Sequence, residues 1–112
     1  MTTIDMTREA ALALPEATER DHHGLPSFRV GGRIFATVPD DLHVRIMIDE
    51  HDTRALAKGN PTAFQEYWFG ARLACAVVNI AVVEIEEVTE LLTDAWRRKA
   101  PRRLVLAFDE SR

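Results

Sequence analysis

Residues 27–49 constrain the fold more than any other part of this chain. Phe28 and Val30 lead into Gly31-Gly32, a pair that accepts the positive φ values of a two-residue primed turn, and Arg33-Ile34-Phe35-Ala36-Thr37-Val38 follows. Pro39-Asp40-Asp41 supplies a second turn. Beyond it Leu42, Val44, Ile46 and Ile48 alternate strictly with His43, Arg45, Met47 and Asp49. The pattern predicts a three-stranded antiparallel meander. One face of its third strand is apolar enough to rest on helices, and the other offers His43 and Arg45 to solvent or a ligand.

The flanking segments supply the helices. Residues 5–14 read as a short Ala-rich helix stopped by Pro15, and 16–26, polar and aperiodic around His22, His23, Gly24 and Pro26, as a loop. Asp49 is placed to cap a helix from Glu50 that Lys58-Gly59 ends. Asn60-Pro61 looks like a second helix start, running to about Tyr67. The β-branched density of 73–83, without alternation, predicts a strand buried on both sides. Ile85, Val88, Leu91, Leu92, Ala95 and Trp96 recur at helical spacing from Glu84 to Lys99, with acids at the start and bases at the end, as the helix dipole favours. After Pro101, Leu104, Val105, Leu106 and Phe108 suggest a short extended segment. One domain is expected over 1–108, with 109–112 a frayed end.

Length and charge narrow the class. A chain of 112 residues, 46% hydrophobic, suits one globular domain. The apolar run 73–83 is about half a membrane span and contains Asn79. The start, MTTIDMTREA, has neither the basic nor the apolar region of a secretion signal, and Cys75 stands alone, so a reducing cytoplasm is the expected location. The net charge of −4 hides a division: 1–96 carries eight basic and sixteen acidic side chains (−8), and 97–112 six and two (+4). Arg97, Arg98, Lys99, Arg102 and Arg103 crowd into seven residues, the first place to look for a polyanion contact.

Catalytic and cofactor motifs are missing. His22 and His23 are adjacent, His43 and His51 lie on other elements, and none makes a metal-ligand spacing, so no metal is expected. Cys75 sits among apolar residues that would keep its thiol inert. Gly31-Gly32 is neither a phosphate loop nor a dinucleotide fingerprint, and Asp40-Asp41 and Glu86-Glu87 are explained by a turn and a helix start. No enzyme activity and no cofactor are expected.

Ala11-Leu12-Ala13-Leu14-Pro15, Leu25-Pro26-Ser27-Phe28-Arg29-Val30-Gly31-Gly32-Arg33-Ile34-Phe35-Ala36, and Glu90-Leu91-Leu92-Thr93-Asp94-Ala95-Trp96-Arg97 leading into Lys99-Ala100-Pro101-Arg102-Arg103-Leu104 together resemble the MmcQ/YjbR-like family of small bacterial proteins. The hairpin motif is the most specific of the three. The resemblance implies an α+β fold in which an antiparallel sheet, the meander plus at least one further strand, packs against N-terminal and C-terminal helices. Its two hairpins would be wings, as in the double-wing domain of a phage transcription factor and in CyaY-like folds. The family is commonly labelled DNA-binding, a label that rests on fold analogy.

Two functions follow as expectations. In the first, a nucleic-acid-binding module, DNA for preference, meets phosphates through Arg29, Arg33, Arg97, Arg98, Lys99, Arg102 and Arg103 by shape and charge. In the second, a protein-interaction or small-ligand domain uses the sheet face with His43, Arg45 and Met47, or the aromatic group Phe64, Tyr67 and Trp68. The first requires the hairpin arginines and the basic helix end to share one face.

Overall fold

The structure is a computed structural model that describes residues 1–111. Six antiparallel strands form one sheet, β1 (Thr18–His22), β2 (Leu25–Val30), β3 (Arg33–Thr37), β4 (His43–Ile46), β5 (Phe64–Phe69) and β6 (Arg72–Asn79), in spatial order β1-β2-β3-β4-β6-β5. Four helices, α1 (Ile4–Leu12), α2 (Glu50–Gly59), α3 (Ile85–Lys99) and α4 (Arg102–Glu110), complete an α+β fold. No helix of the described residues is long and apolar enough to cross a membrane.

The meander forms as its pattern predicts. Gly31 and Gly32 take φ of 57° and 77°, the paired positive values of a primed turn that suits the right-handed twist of the strands. Between Phe28 and Arg29 the register shifts, so β3 contributes one extra residue against β2. That bulge lets two consecutive residues, Phe35 and Ala36, both be fully buried. On β4, Val44 and Ile46 are buried while His43 and Arg45 remain partly exposed. The Asp49 carboxylate accepts from the Asp52 amide at 2.7 Å and starts α2, as its position before Glu50 implies.

Four segments differ from the sequence reading. Residues 16–26 contain β1, an edge strand whose first four residues are all exposed. With neither face in the core it has no alternation to betray it, and an edge of charged Glu19, Arg20 and Asp21 deters pairing with other chains. The second helix expected after Asn60 is one turn, in which Asn60 accepts from the Ala63 and Phe64 amides, before β5 begins. The aromatics Phe64, Tyr67, Trp68 and Phe69 favour a strand once β6 is there to pair with. Strand β6 ends at Asn79, whose side chain accepts from the Ala81 amide and opens a 3-10 turn over Ile80–Val82. Nor is β6 buried on both sides: Ala76 and Val78 are in the core, whereas Val77 is partly exposed. The tail after Pro101 is helical, not extended. Leu104, Val105 and Phe108 share one side of α4, Leu104 is buried, and Phe108 lies 5.1 Å from the Trp96 ring. Helix α4 runs to Glu110 and so takes in part of the end expected to fray over 109–112, of which 112 lies outside the described residues.

The helices lie on one side of the sheet. Trp96, Leu92 and Val88 of α3 join Phe28, Val30, Phe35, Val44, Ile46 and Val78 in a single core. Helix α1 packs beside α3, and α2 against β5 and β6. The threonine hydroxyl of Thr2 donates to the Val83 carbonyl at 2.6 Å, tying the start of the chain to the segment that enters α3.

Candidate nucleic-acid interface

Topology brings the β2–β3 and β5–β6 hairpin turns to one end of the sheet. Strands β3 and β6 both run antiparallel to β4, so they are parallel to each other and begin at the same end. The turn Gly31-Gly32 precedes β3, and Gly70-Ala71 precedes β6. Each is followed at once by an arginine, Arg33 and Arg72. The C-terminal end of α3 arrives there too: a Cβ built on Gly31 would stand 3.2 Å from the Pro101 ring, so the hairpin tip touches the corner between α3 and α4. Lys99 registers the resulting crowd. Its ammonium pKa is lowered, first by burial and then by the positive charges of Arg33, Arg98 and Arg72. The hairpin arginine and the helix end thus share a face.

The seven arginines and lysines singled out in the sequence do not all reach it. Arg33, Arg98 and Lys99 meet there, with Arg98 also donating to the Met47 carbonyl. Arg102 is exposed in the first turn of α4, one residue beyond the Pro101 that meets the Gly31 turn. Arg97 turns to the helical side, where it pairs with Asp109 at 2.6 Å and lies over the Phe108 ring. Arg103 makes a two-pronged pair with Glu16 at 3.1 and 3.2 Å. Arg29 points to the opposite side of the sheet from Arg33 and donates to the Ser27 hydroxyl at 3.2 Å. Arg72, which sequence reasoning missed, joins the cluster. Its signal is the repeat of turn-then-arginine, which a helix over 60–67 would hide by removing the second hairpin.

The face of the sheet turned away from the helices is open, and the charged side chains that its strands send there are cationic, with Glu16 beside Arg20 and Arg29 and Asp40 on His43 as the acids at its margins. Cross-strand partners share a face, so the row Ser27, Thr37, Arg45, Val77, Gln65 lies opposite the buried row Phe28, Ala36, Ile46, Ala76. Arg20 and Arg29 extend the open face across β2 and β1. The three carboxylates carried by strands, Glu19, Asp21 and Glu66, alternate onto the helical side instead. Arg45 lies over the Tyr67 ring at 4.4 Å. Cys75 beside them is 2% exposed, and burial pushes its thiol up to about 11 against the downward pull of Arg45 and Arg72. The Thr37 hydroxyl in the middle of the row is buried without a hydrogen-bond partner.

Acid collects on the other side. An open groove of about 1110 Å³ between the helices is rimmed by Glu9, Glu87, Glu90 and Asp94. Burial, and then the nearby charge of Asp52, raise the Asp94 carboxyl above its ordinary 3.8. A raised folded-state value means the folded protein holds this proton more tightly than the unfolded chain. Stability therefore falls as pH climbs from 3.8 through the raised value, and ionised Asp94 is a net cost at neutral pH. Asp94→Asn is expected to gain about 0.5 kcal/mol or less at neutral pH. Denaturant titrations at several pH values should show the gain shrinking in acid, and a constant gain would exclude titration as its cause.

The remaining candidates stay apart. His22 and His23 stack edge to face at 4.4 Å in the β1–β2 turn. Asp49, His51 and Asp52 place ligand-type atoms within 4.8 Å of one another, all exposed, with Asp49 already engaged as the cap of α2. Phe64, Tyr67 and Trp68 do not form one patch: Phe64 is in the core, Tyr67 lies on the open face, and Trp68 turns to α2, where Arg54 lies over its ring at 5.5 Å.

The family model named YjbR matches residues 12–98. The chain belongs to the YjbR family. The YjbR match takes in all six strands and nearly all of α3, and stops before α4. A search of curated proteins finds no match. Among solved structures, the crystal structure of the Deinococcus radiodurans protein DR2400, with a DUF419 domain, superposes with a TM-score of 0.74. It is 22% identical, and the alignment covers 86% of this chain and 77% of that one. At that identity the likeness is one of fold, and it extends the YjbR architecture to a second sequence.

Proposed function

We propose that this YjbR-family domain binds nucleic acid through the end of the sheet where its β2–β3 and β5–β6 turns meet α3. The observation that carries the reading is the convergence of Arg33, Arg72, Arg98 and Lys99 at the corner where the Gly31 turn meets Pro101, where burial first and the neighbouring positive charges second depress the Lys99 ammonium. Such mutual repulsion costs stability, and a polyanion reverses it. Arg33, Arg72 and Arg102 have no carboxylate partner among the described residues, so their charge is available to phosphates. The acidic groove lies on the helical side and steers a polyanion away from it. Phosphate contacts of this kind fix position and give no base specificity.

The test is fluorescence anisotropy with a labelled single strand and a labelled duplex at about 50 and 200 mM salt. The native domain is expected to bind at the lower salt and weaken steeply at the higher. Arg33→Ala, Lys99→Ala and Arg102→Ala combined should reduce affinity for both probes about tenfold or more and flatten the salt dependence by about 2 to 3 in log–log slope. Arg97→Ala with Arg103→Ala, which removes cations already paired with carboxylates, should change affinity little. No binding at low salt, or equal losses from the two sets, overturns the reading.

A further inference from the structure

We infer that the open sheet face is a binding track for single-stranded nucleic acid, taking unpaired bases on the Arg45–Tyr67 stack and on Phe69 and phosphates on Arg20, Arg29 and Arg72. The inference rests on the nucleic-acid reading and adds the strand type and a second surface. Four arginines reach this face and no strand carboxylate does, so its strands offer a polyanion positive charge, while Glu16, held by Arg103, and Asp40, held by His43, stand at its margins. Arg72 stands where the face meets the basic end, making the two surfaces continuous.

The aromatic groups choose the single strand. Tyr67 and Phe69 are two residues apart on β5, on one side and roughly 7 Å from each other. Phe69 is 71% exposed, a large apolar ring left in water at a hairpin end. Tyr67 is already covered by the Arg45 guanidinium at 4.4 Å, whose far side is a flat cation on which a base can stack. In a duplex the base faces are consumed by their neighbours, so only an unpaired strand can use these surfaces. A cationic groove with stacking side chains is the general form of single-strand recognition without sequence preference. An acidic peptide would fit the charge but would leave Phe69 without a matching flat partner.

The decisive experiment compares Phe69→Ala, Phe69→Tyr and Arg45→Gln with the native domain, using an oligothymidine of about 15 nucleotides and a duplex of equal length, in anisotropy titrations at low salt. Circular dichroism melts check that each variant folds. The expected result is a loss of about fivefold or more for the single strand with Phe69→Ala and with Arg45→Gln, retention with Phe69→Tyr, and little change for the duplex. Amide shifts of a labelled sample should move along β1 to β6 and spare the acidic groove. Unchanged single-strand affinity in both Phe69→Ala and Arg45→Gln, or equal losses on both probes, overturns the inference. If the triple change at Arg33, Lys99 and Arg102 still abolishes binding in that case, the basic-end reading stands without it. Absence of any binding by the native domain removes both.

Discussion

Trp96→Ala is expected to lower the free energy of unfolding by about 3–5 kcal/mol. Trp96 is fully buried in α3, where it meets the core strands on one side and the Phe108 ring of α4 on the other. Its indole nitrogen donates to the Pro15 carbonyl at 3.0 Å, binding the end of the α1 segment to α3 across 81 residues. Alanine leaves a cavity at the junction of three elements and strips the Pro15 carbonyl of its donor. A domain of this size has a total margin of about 5–15 kcal/mol, so the variant should be partly unfolded at physiological temperature. Trp96→Phe keeps most of the packing and loses the donor, and should cost less than the alanine change. Urea denaturation followed by circular dichroism measures both. A loss under about 1.5 kcal/mol for the alanine variant would mean that Trp96 is not the keystone its burial implies.

Gly31→Val carries the next largest effect, about 2–3 kcal/mol. Gly31 holds φ of 57°, a conformation a β-branched residue adopts only under strain, and its missing Cβ leaves room for the Pro101 ring at 3.2 to 3.3 Å. The substitution therefore strains the turn and pushes the hairpin tip off the α3–α4 corner. Gly32→Val separates the two causes, because Gly32 has a similar φ of 77° but nothing within 4 Å of its Cβ position. It should cost only the backbone term, about 1–2 kcal/mol. In the same anisotropy titrations Gly31→Val should also weaken nucleic-acid binding, since it moves Arg33 away from Lys99, whereas Gly32→Val should not. Equal stability losses in the two variants would show that the Pro101 contact is incidental.

What could be read ahead of the structure followed from local causes. Strict alternation set β4, the glycine pair set the β2–β3 turn, and the spacing of Val88, Leu91, Leu92, Ala95 and Trp96 set α3. The misread segments are those whose conformation depends on a partner. Residues 64–69 have an aromatic content that suits either a short helix or a strand, and the pairing with β6 decides it. Residues 102–110 are apolar enough for a strand, but no strand edge is offered to them, and Trp96 offers Phe108 a place to pack as a helix. Edge strand β1 is polar because it faces water on both sides, so it looks like a loop.

The candidate site divides in the same way. By itself the sequence determined the amount of charge and its order along the chain, a −8 stretch followed by a +4 end, together with the arginine-flanked glycine turn and the helix that carries Arg98 and Lys99. Tertiary structure alone decided which of those charges act together. Arg103 is paired with Glu16 from 87 residues away, Arg97 with Asp109 on a helix that was not foreseen, and Arg72 is recruited because β3 and β6 run parallel. The strand acids go to one side of the sheet and the arginines Arg20, Arg29 and Arg45 to the other, by an alternation whose register only the assembled strands fix. The reason is physical: a cation's effect depends on its distance to other charges and on its exposure to water, and both are properties of the folded surface rather than of sequence order.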